Sequence, residues 1–487
     1  MNKVITQTRP CLHFTPPVGW MNDPNGLVFH NGEYHLFYQH HPHDLKWGPM
    51  HWGHAVSTNL IDWEHLPIAL YPGEDGTIFS GSTVVDTHNT AGFGAGAMIA
   101  IYTLFIPLED DKAIQNQGIA FSLDDGRTWT KYSNNPIIQM PAFENHNNFR
   151  DPNVSWYGTP EDGHWTMILT VHDEVWLYTS PDLKNWELAS TFGRGYGCHD
   201  GVWECPDLFE LPIEGGDERL WVMIVSVERG APAGGNGVQY FLGHFDGKTF
   251  TPAEDRSKTR WVDYGPDFYA AVTYNNAPDG RRILVGWMNN WSYSHDIPAE
   301  QWRGMQSFPR ELTLTKGADG LVLNQRPVRE LDEHLSKSIK LANVQVDGTH
   351  PIETFAADIA EYKVTFEMDQ KTSADSFGLR VRCGNGNHTT IGYSVAEGSV
   401  YVDRSKMGVE ASKMTHSSVH QAPVNSAISQ SITLNVIVDH ESVEVWANDG
   451  EVYLTELNYP LAENIGFELF ATGGEIQVLS AVCKTKE

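Results

Sequence analysis

Three acidic residues in this chain stand in settings that suit acid–base and nucleophilic chemistry. Asp23 lies in Trp20-Met21-Asn22-Asp23-Pro24-Asn25-Gly26, Asp151 in Phe149-Arg150-Asp151-Pro152, and Glu204 in Trp203-Glu204-Cys205-Pro206. Asp23 and Asp151 directly precede a proline, and Glu204 stands two residues before one. Proline fixes the local backbone and biases the residue before it towards extended geometry, so a carboxylate there can be held at a strand end and aimed. The plain alternative is that Asp-Pro and Glu-x-Pro are turn chemistry, an explanation that suits any one of them better than all three together. Carboxylates gathered in an aromatic pocket are what cleavage of a glycosidic bond requires. One attacks the anomeric carbon, and another, protonated, hands its proton to the leaving oxygen. Their proton affinities must be pushed apart by mutual repulsion and a neighbouring cation. Arg150, beside Asp151, is expected to favour ionised Asp151.

Strands must position these acids. Short runs of Val, Ile, Trp, Tyr and Phe alternate with Gly, Asn, Asp and Pro turns, and helical periods are few. A weak repeat runs through the first two-thirds. Ser57-Thr58-Asn59-Leu60 leads to Trp63, Ser122-Leu123-Asp124-Asp125-Gly126 to Trp129, Ser180-Pro181-Asp182-Leu183 to Trp186, and Phe245-Asp246-Gly247 to Phe250. A period of roughly 60 residues built from strands is the size of a propeller blade, and two packed sandwiches would not explain it. The expected fold is all-β, with a five-bladed β-propeller over 1–320, a linker with a short helix over 321–342, and a C-terminal β-sandwich over 343–487. From Asp23 to Asp151 is about two blades and from Asp151 to Glu204 about one. Equivalent positions on the inner strands are therefore expected to converge at one end of the channel.

Composition narrows the partners. A formal net charge of −29 argues against nucleic acid or an anionic membrane surface. Sixteen Trp, eighteen Tyr and twenty-one Phe suit sugar rings as well as cores. Five scattered cysteines without a CxxC pair indicate neither a disulfide framework nor a zinc site. The uncharged stretch from Ala91 to Leu108 is broken by Gly92, Gly94, Gly96 and Pro107 and reads as a buried strand, not a membrane span. Met1–Gln7 has no apolar signal core, so a cytoplasmic chain is expected unless a signal was removed. His40-His41-Pro42-His43 with His51 and His54 fits no tetrahedral metal site. The Gly92–Gly96 run lacks the rest of a dinucleotide fingerprint, and Ser80 has no nucleophile-elbow context.

The three acidic motifs resemble those of glycoside hydrolase family 32, the invertase, levanase and exo-inulinase family. The resemblance extends through Trp47-Gly48-Pro49-Met50-His51-Trp52-Gly53-His54, Phe79-Ser80-Gly81-Ser82, Asp267-Phe268-Tyr269-Ala270, Gly286-Trp287-Met288 and Pro309-Arg310-Glu311-Leu312. It reaches Asp403-Arg404-Ser405 and Val443-Glu444-Val445, so it covers nearly the whole chain. It implies a propeller followed by a β-sandwich and a retaining β-fructofuranosidase needing no metal or organic cofactor. Asp23 would be the nucleophile, Glu204 the acid/base and Asp151 the ionised stabiliser. Asn22, Gln39, Trp47, Ser80 and Arg150 would contact fructose as polar or edge partners, and Trp20, Phe79 and one or both of Trp287 and Trp291 would form walls. The partners implied are sucrose, fructo-oligosaccharides, inulin or levan. Fructosyl transfer, hydrolysis of sucrose 6-phosphate and a non-catalytic sugar-binding propeller are the alternatives. Asn153 departs from the pattern, standing where members often carry Lys, which bears on pH dependence and substrate ranking.

Overall fold

The turn-plus-aromatic repeat marks one recurring corner of the architecture. Ser57, Ser122 and Ser180 each end the third strand of a four-stranded antiparallel blade. Their hydroxyls bond Asn59, Asp124 and Asp182. Those side chains in turn accept backbone N–H groups from Asp62, Thr128 and Asn185. The backbone is thereby bent without needing a partner strand. Trp63, Trp129 and Trp186 then pack back onto the blades. The computed structural model describes residues 8–110, 112–143, 148–253, 258–317, 320–368, 372–408, 417–424 and 430–486. Met1–Gln7, and residues 318–319 just before the expected boundary at 320, lie outside these residues.

Five such sheets follow one another along the chain and form a five-bladed propeller. Their inner strands are Gly19–His30, Thr77–Asp86, Arg150–Tyr157, Trp203–Pro212 and Tyr269–Thr273. Each lies against the next, and the fifth against the first, which closes the ring. A parallel pairing of Trp302–Arg303 with Gly19-Trp20 ties the last blade's excursion to the first blade. At Gly304, with φ +96°, a Cβ would stand 2.2 Å from the Met21 carbonyl oxygen, so only glycine permits this approach. The uncharged stretch after Ala91 contains the strand Ala97–Pro107. No described helix is long and apolar enough to cross a membrane.

The boundary expected at residue 320 falls inside a hairpin. Gly317 pairs with Gly320, and Gly320–Pro327 is the outer strand of the fifth blade. Pro327 therefore ends a strand, and the short helix follows at Glu330–His334. The strand Lys337–Pro351 already belongs to the second sheet. Among the described residues that sheet has ten strands, and it folds over into a nearly closed sandwich. Its long strand Gly466–Thr485 joins both layers, pairing with Ser376–Gly384 through its first half and with Ala360–Glu367 through its second. One apolar cluster, including Phe308 and Tyr293 on one side and Trp446, Tyr453 and Leu457 on the other, spans the two domains. Arg310 lies within this interface between the rings of Phe268 and Tyr453. Its charge is matched by Asp263 at 2.8 Å and Glu444 at 2.9 Å, all essentially without solvent.

Candidate active site

Every inner strand carries the same irregularity near its start, and the site is made from it. In each, two residues stand against one on the neighbouring strand: Asn22-Asp23, Phe79-Ser80, Asp151-Pro152, Cys205-Pro206 and Ala270-Ala271. Such a bulge interrupts the strict alternation of faces and re-aims side chains. In three of the five bulges the first residue, Asp151, Cys205 or Ala270, takes a positive φ, 63°, 46° and 52°. Prolines are tolerated here because a bulge releases the strand from ladder hydrogen bonds. The Asp-Pro and Glu-x-Pro signals thus mark bulges in interior strands, not surface turns.

The acids do not occupy equivalent positions, contrary to expectation. Asp23 is the second bulged residue of its strand, Asp151 the first, and Glu204 the last paired residue before its bulge. The counterparts of Glu204 in the flanking blades are Arg150 and Tyr269, and both reach it. Arg150 Nη2 donates to Glu204 Oε1 at 2.9 Å, and the Tyr269 hydroxyl donates to Oε2 in a short hydrogen bond. Arg150 Nε lies 3.9 Å from Asp151 Oδ2, so the guanidinium serves Glu204 more closely than the aspartate beside it in sequence.

Asp23 is held by three donors. Asn22 Nδ2 reaches Oδ1 at 2.8 Å, Ser80 Oγ reaches Oδ2 at 2.6 Å, and the Cys205 thiol points at the same oxygen from 3.5 Å. The Cys205 sulfur is also 3.7 Å from Asp151 Oδ2, which accepts the Cys205 backbone N–H at 3.0 Å. Asp151's own N–H donates to Thr103 Oγ1 at 3.0 Å. Burial, then the Glu204 charge, raises the Asp23 carboxyl above the usual carboxylate range, against the pull of Ser80, Asn22 and Cys205. Asp151 is pushed up to about 7 by burial, opposed by Arg150 and reinforced by Glu204 and Asp23. Arg150 favours the ionised form of Asp151, as expected, but burial outweighs this one cation, which is shared with Glu204. Burial and the neighbouring acids also push the Cys205 thiol and the Tyr269 phenol well up, so both remain hydrogen-bond donors.

A cavity of about 270 Å³ opens onto these groups. It is lined by Asn22, Asp23, Gln39, Trp47, Phe79, Ser80, Arg150, Asp151, Glu204, Trp291 and His295. Most of the residues expected from sequence are therefore together. Trp20 and Trp287 are not on the wall. Both are fully buried behind it, where Trp20 stacks on Trp291 and His295, at 6.0 and 4.6 Å, and Trp287 packs 4.7 Å from Trp291. Trp20 also donates to Asn22 Oδ1 at 2.8 Å, which orients the amide that holds Asp23. Trp47, 40% exposed, forms the rim with its edge against Phe79. Tyr269, His295 and Thr103 join the site beyond the residues expected from sequence. The first lay inside a recognised motif at the place matching Glu204. For the other two no sequence signal existed, because only the loop path and a neighbouring strand bring them in. Asn153 pairs with Ile168 and is not part of the lining. His40 and His41 bond backbone carbonyls of Trp20 and Lys46, which explains part of the histidine cluster as loop bracing.

The comparisons with known proteins agree along the whole length. Residues 13–327 match the model of the glycosyl hydrolases family 32 N-terminal domain, and residues 330–485 that of the glycosyl hydrolases family 32 C terminal. A levanase of Bacillus subtilis (strain 168) is 45% identical over 480 residues, covering 97% of this chain and 69% of the relative. An Aspergillus niger protein described as an extracellular exo-inulinase is 38% identical over 504 residues, covering 95% and 91%. The crystal structure of an exo-inulinase from Aspergillus awamori superposes with a TM-score of 0.90 at 34% identity, covering 98% of both chains. The expectation of a cytoplasmic chain finds no support here, since relatives are described as extracellular. With both of its domains matched and three acids converging on one cavity, the chain belongs to glycosyl hydrolase family 32.

Proposed function

We propose that this glycoside hydrolase removes terminal β-D-fructofuranosyl units from sucrose and fructans with retention of configuration. The observation that carries this reading is the convergence of Asp23, Asp151 and Glu204, with Arg150, on a cavity suited to one sugar ring. The levanase and exo-inulinase names of the relatives support fructans as substrates.

In the first step a carboxylate oxygen of Asp23 attacks the anomeric carbon. The bond from that carbon to the leaving oxygen breaks, its electron pair stays on the oxygen, and Glu204 supplies the proton. In the second step Glu204 takes a proton from water, which attacks the same carbon and releases Asp23. The site's electrostatics supports this division of labour. The cluster holds three acids against one guanidinium, and burial with mutual repulsion raises the proton affinities of Asp23 and Asp151, the latter to about 7. A bound furanose that donates hydroxyls to Asp151 would favour its ionised form. Ionised Asp151 then stabilises the positive charge that develops on the ring. Trp47 and Phe79 on one side and Trp291 and His295 on the other supply the walls.

Among the described lining residues the one guanidinium is already engaged by Glu204, which favours neutral fructosides over a phosphorylated disaccharide. The test is separate incubation with sucrose, sucrose 6-phosphate, inulin and levan, with early products identified and the anomer of released fructose followed by NMR. Fructose released first as the β-anomer from neutral substrates is expected. Release of the α-anomer would overturn the two-step mechanism, and longer early products would overturn exo-hydrolysis.

A further inference from the structure

The excursion 288–309 in the fifth blade supplies Trp291 and His295 to the cavity, and Tyr293 lies between them in sequence. The Tyr293 hydroxyl donates to Asp267 Oδ1 in a short hydrogen bond. The other oxygen of that carboxylate faces the C-terminal domain, where it accepts Arg404 Nη1 at 2.6 Å and the Leu457 N–H at 2.8 Å. Arg404 is itself fixed by the Leu457 carbonyl at 2.8 Å and by Glu456 at 3.1 Å, and Glu456 by His420 at 2.7 Å. The side chains of Asp267, Arg404 and Glu456 have no solvent exposure. Asp267 also stands two residues before Tyr269, which holds Glu204.

A buried carboxylate is tenable only while its charge is matched and its oxygens are satisfied. Arg404 does the first, and the two domains share the second, one oxygen each. A phenol bonded to a charged acceptor makes a stronger, better-directed link than a neutral pair. Asn290 and Asn236 brace the start of the excursion through Asn290 Nδ2 to the Pro266 carbonyl, 2.8 Å, and the Trp291 N–H to Asn236 Oδ1, 2.7 Å. Tyr293 anchors the part that follows to the C-terminal domain, beside Arg303, which donates to the His295 carbonyl, and Trp20, which stacks on Trp291 and His295. We propose that Arg404 and Asp267 are positioning residues through which the C-terminal domain holds Trp291 and His295 against the bound sugar. The inference rests on the fructosyl-site reading above and assigns the second domain a part in substrate binding.

Two substitutions separate the links. Tyr293→Phe removes the hydroxyl that bonds Asp267 and Arg404 Nη2 and keeps the Arg404–Asp267 pair, while Arg404→Gln removes that pair and leaves the Leu457 N–H on Asp267. Both are expected to raise KM for sucrose about fivefold or more with kcat within about threefold. Both should also weaken the near-UV circular dichroism of the Trp20–Trp287–Trp291 cluster. Adding Trp291→Ala to Tyr293→Phe should raise KM by less than it does in the wild type, because the wall is already displaced. Val400→Ala, in the separate core of the C-terminal domain, should lower the thermal midpoint and leave KM unchanged, the pattern that a purely structural role would give for Arg404→Gln as well. KM within twofold of wild type in Tyr293→Phe with an unaltered tryptophan signal, or full additivity with Trp291→Ala, would overturn the proposal. If Arg404→Gln does not fold, Tyr293→Phe decides alone. If Trp291→Ala leaves KM untouched, the reading of the wall fails, and the dichroism still decides the positioning.

Discussion

Replacing Asp151 by Asn should make the protein more stable at neutral pH while abolishing most of its activity. Burial and two neighbouring acids push the Asp151 carboxyl from an ordinary 3.8 to about 7. A folded-state affinity raised above the unfolded one means that this group contributes stability in full below about pH 4. That contribution is lost as the pH rises through about 7. At about 1.4 kcal/mol per unit, the whole shift corresponds to roughly 4 kcal/mol of electrostatic cost at pH 8. The Asn side chain is nearly isosteric and keeps an acceptor for the Cys205 N–H, but it loses the attraction of Arg150. A net gain of about 2–4 kcal/mol at pH 8, and close to none at pH 4, follows. Apparent thermal midpoints of both proteins between pH 4 and 8 are the assay. The expected signature is a difference that grows with pH, accompanied by a fall in kcat of about 10³-fold or more. A difference that is flat across the range, or a variant less stable than wild type at pH 8, would show that the repulsion is not stored on Asp151.

Glu204→Ala should lower kcat on sucrose by on the order of 10²-fold or more, and near-normal turnover would remove its assignment as the acid. Ser80→Ala deletes a donor that pulls the Asp23 affinity down. Its acid limb of kcat/KM should therefore move up by about one pH unit, and a limb that stays put or moves down would contradict this. In the wild type the same limb should lie above the ordinary carboxylate range, since both aspartates are raised. Trp47→Ala should raise KM about five- to tenfold with little effect on kcat, as expected for an exposed aromatic rim that binds ground and transition state alike. Steady-state kinetics on sucrose checks both parts.

Local patterns carry far in a protein of this kind because each blade is a near-repeat of the last. The Ser-x-Asn/Asp corner followed by an aromatic residue is written in every one of the first three blades, and it could be read as a period before any contact was known. The domain boundary was misplaced for the converse reason. In Lys316-Gly317-Ala318-Asp319-Gly320 the glycines look like a linker, yet Gly320–Pro327 after them is the outer edge strand of the fifth blade, and nothing local shows that it pairs with the strand before it.

What the sequence determined by itself was the cast: the three acids, their prolines, Arg150 and the fold that would gather them. Tertiary structure alone decided their relations. Bulge register put Asp23, Asp151 and Glu204 in three different places of one repeated unit, so that Arg150 and Tyr269 flank the glutamate and the aspartates lose water. Burial, not sequence adjacency, then set which acid Arg150 serves, because desolvation and distance act through space. Trp20 and Trp287 lie behind the wall and His295 on it for the same reason. A side chain's facing depends on how the excursion of the fifth blade is anchored across the domain interface, and no local run of residues contains that information.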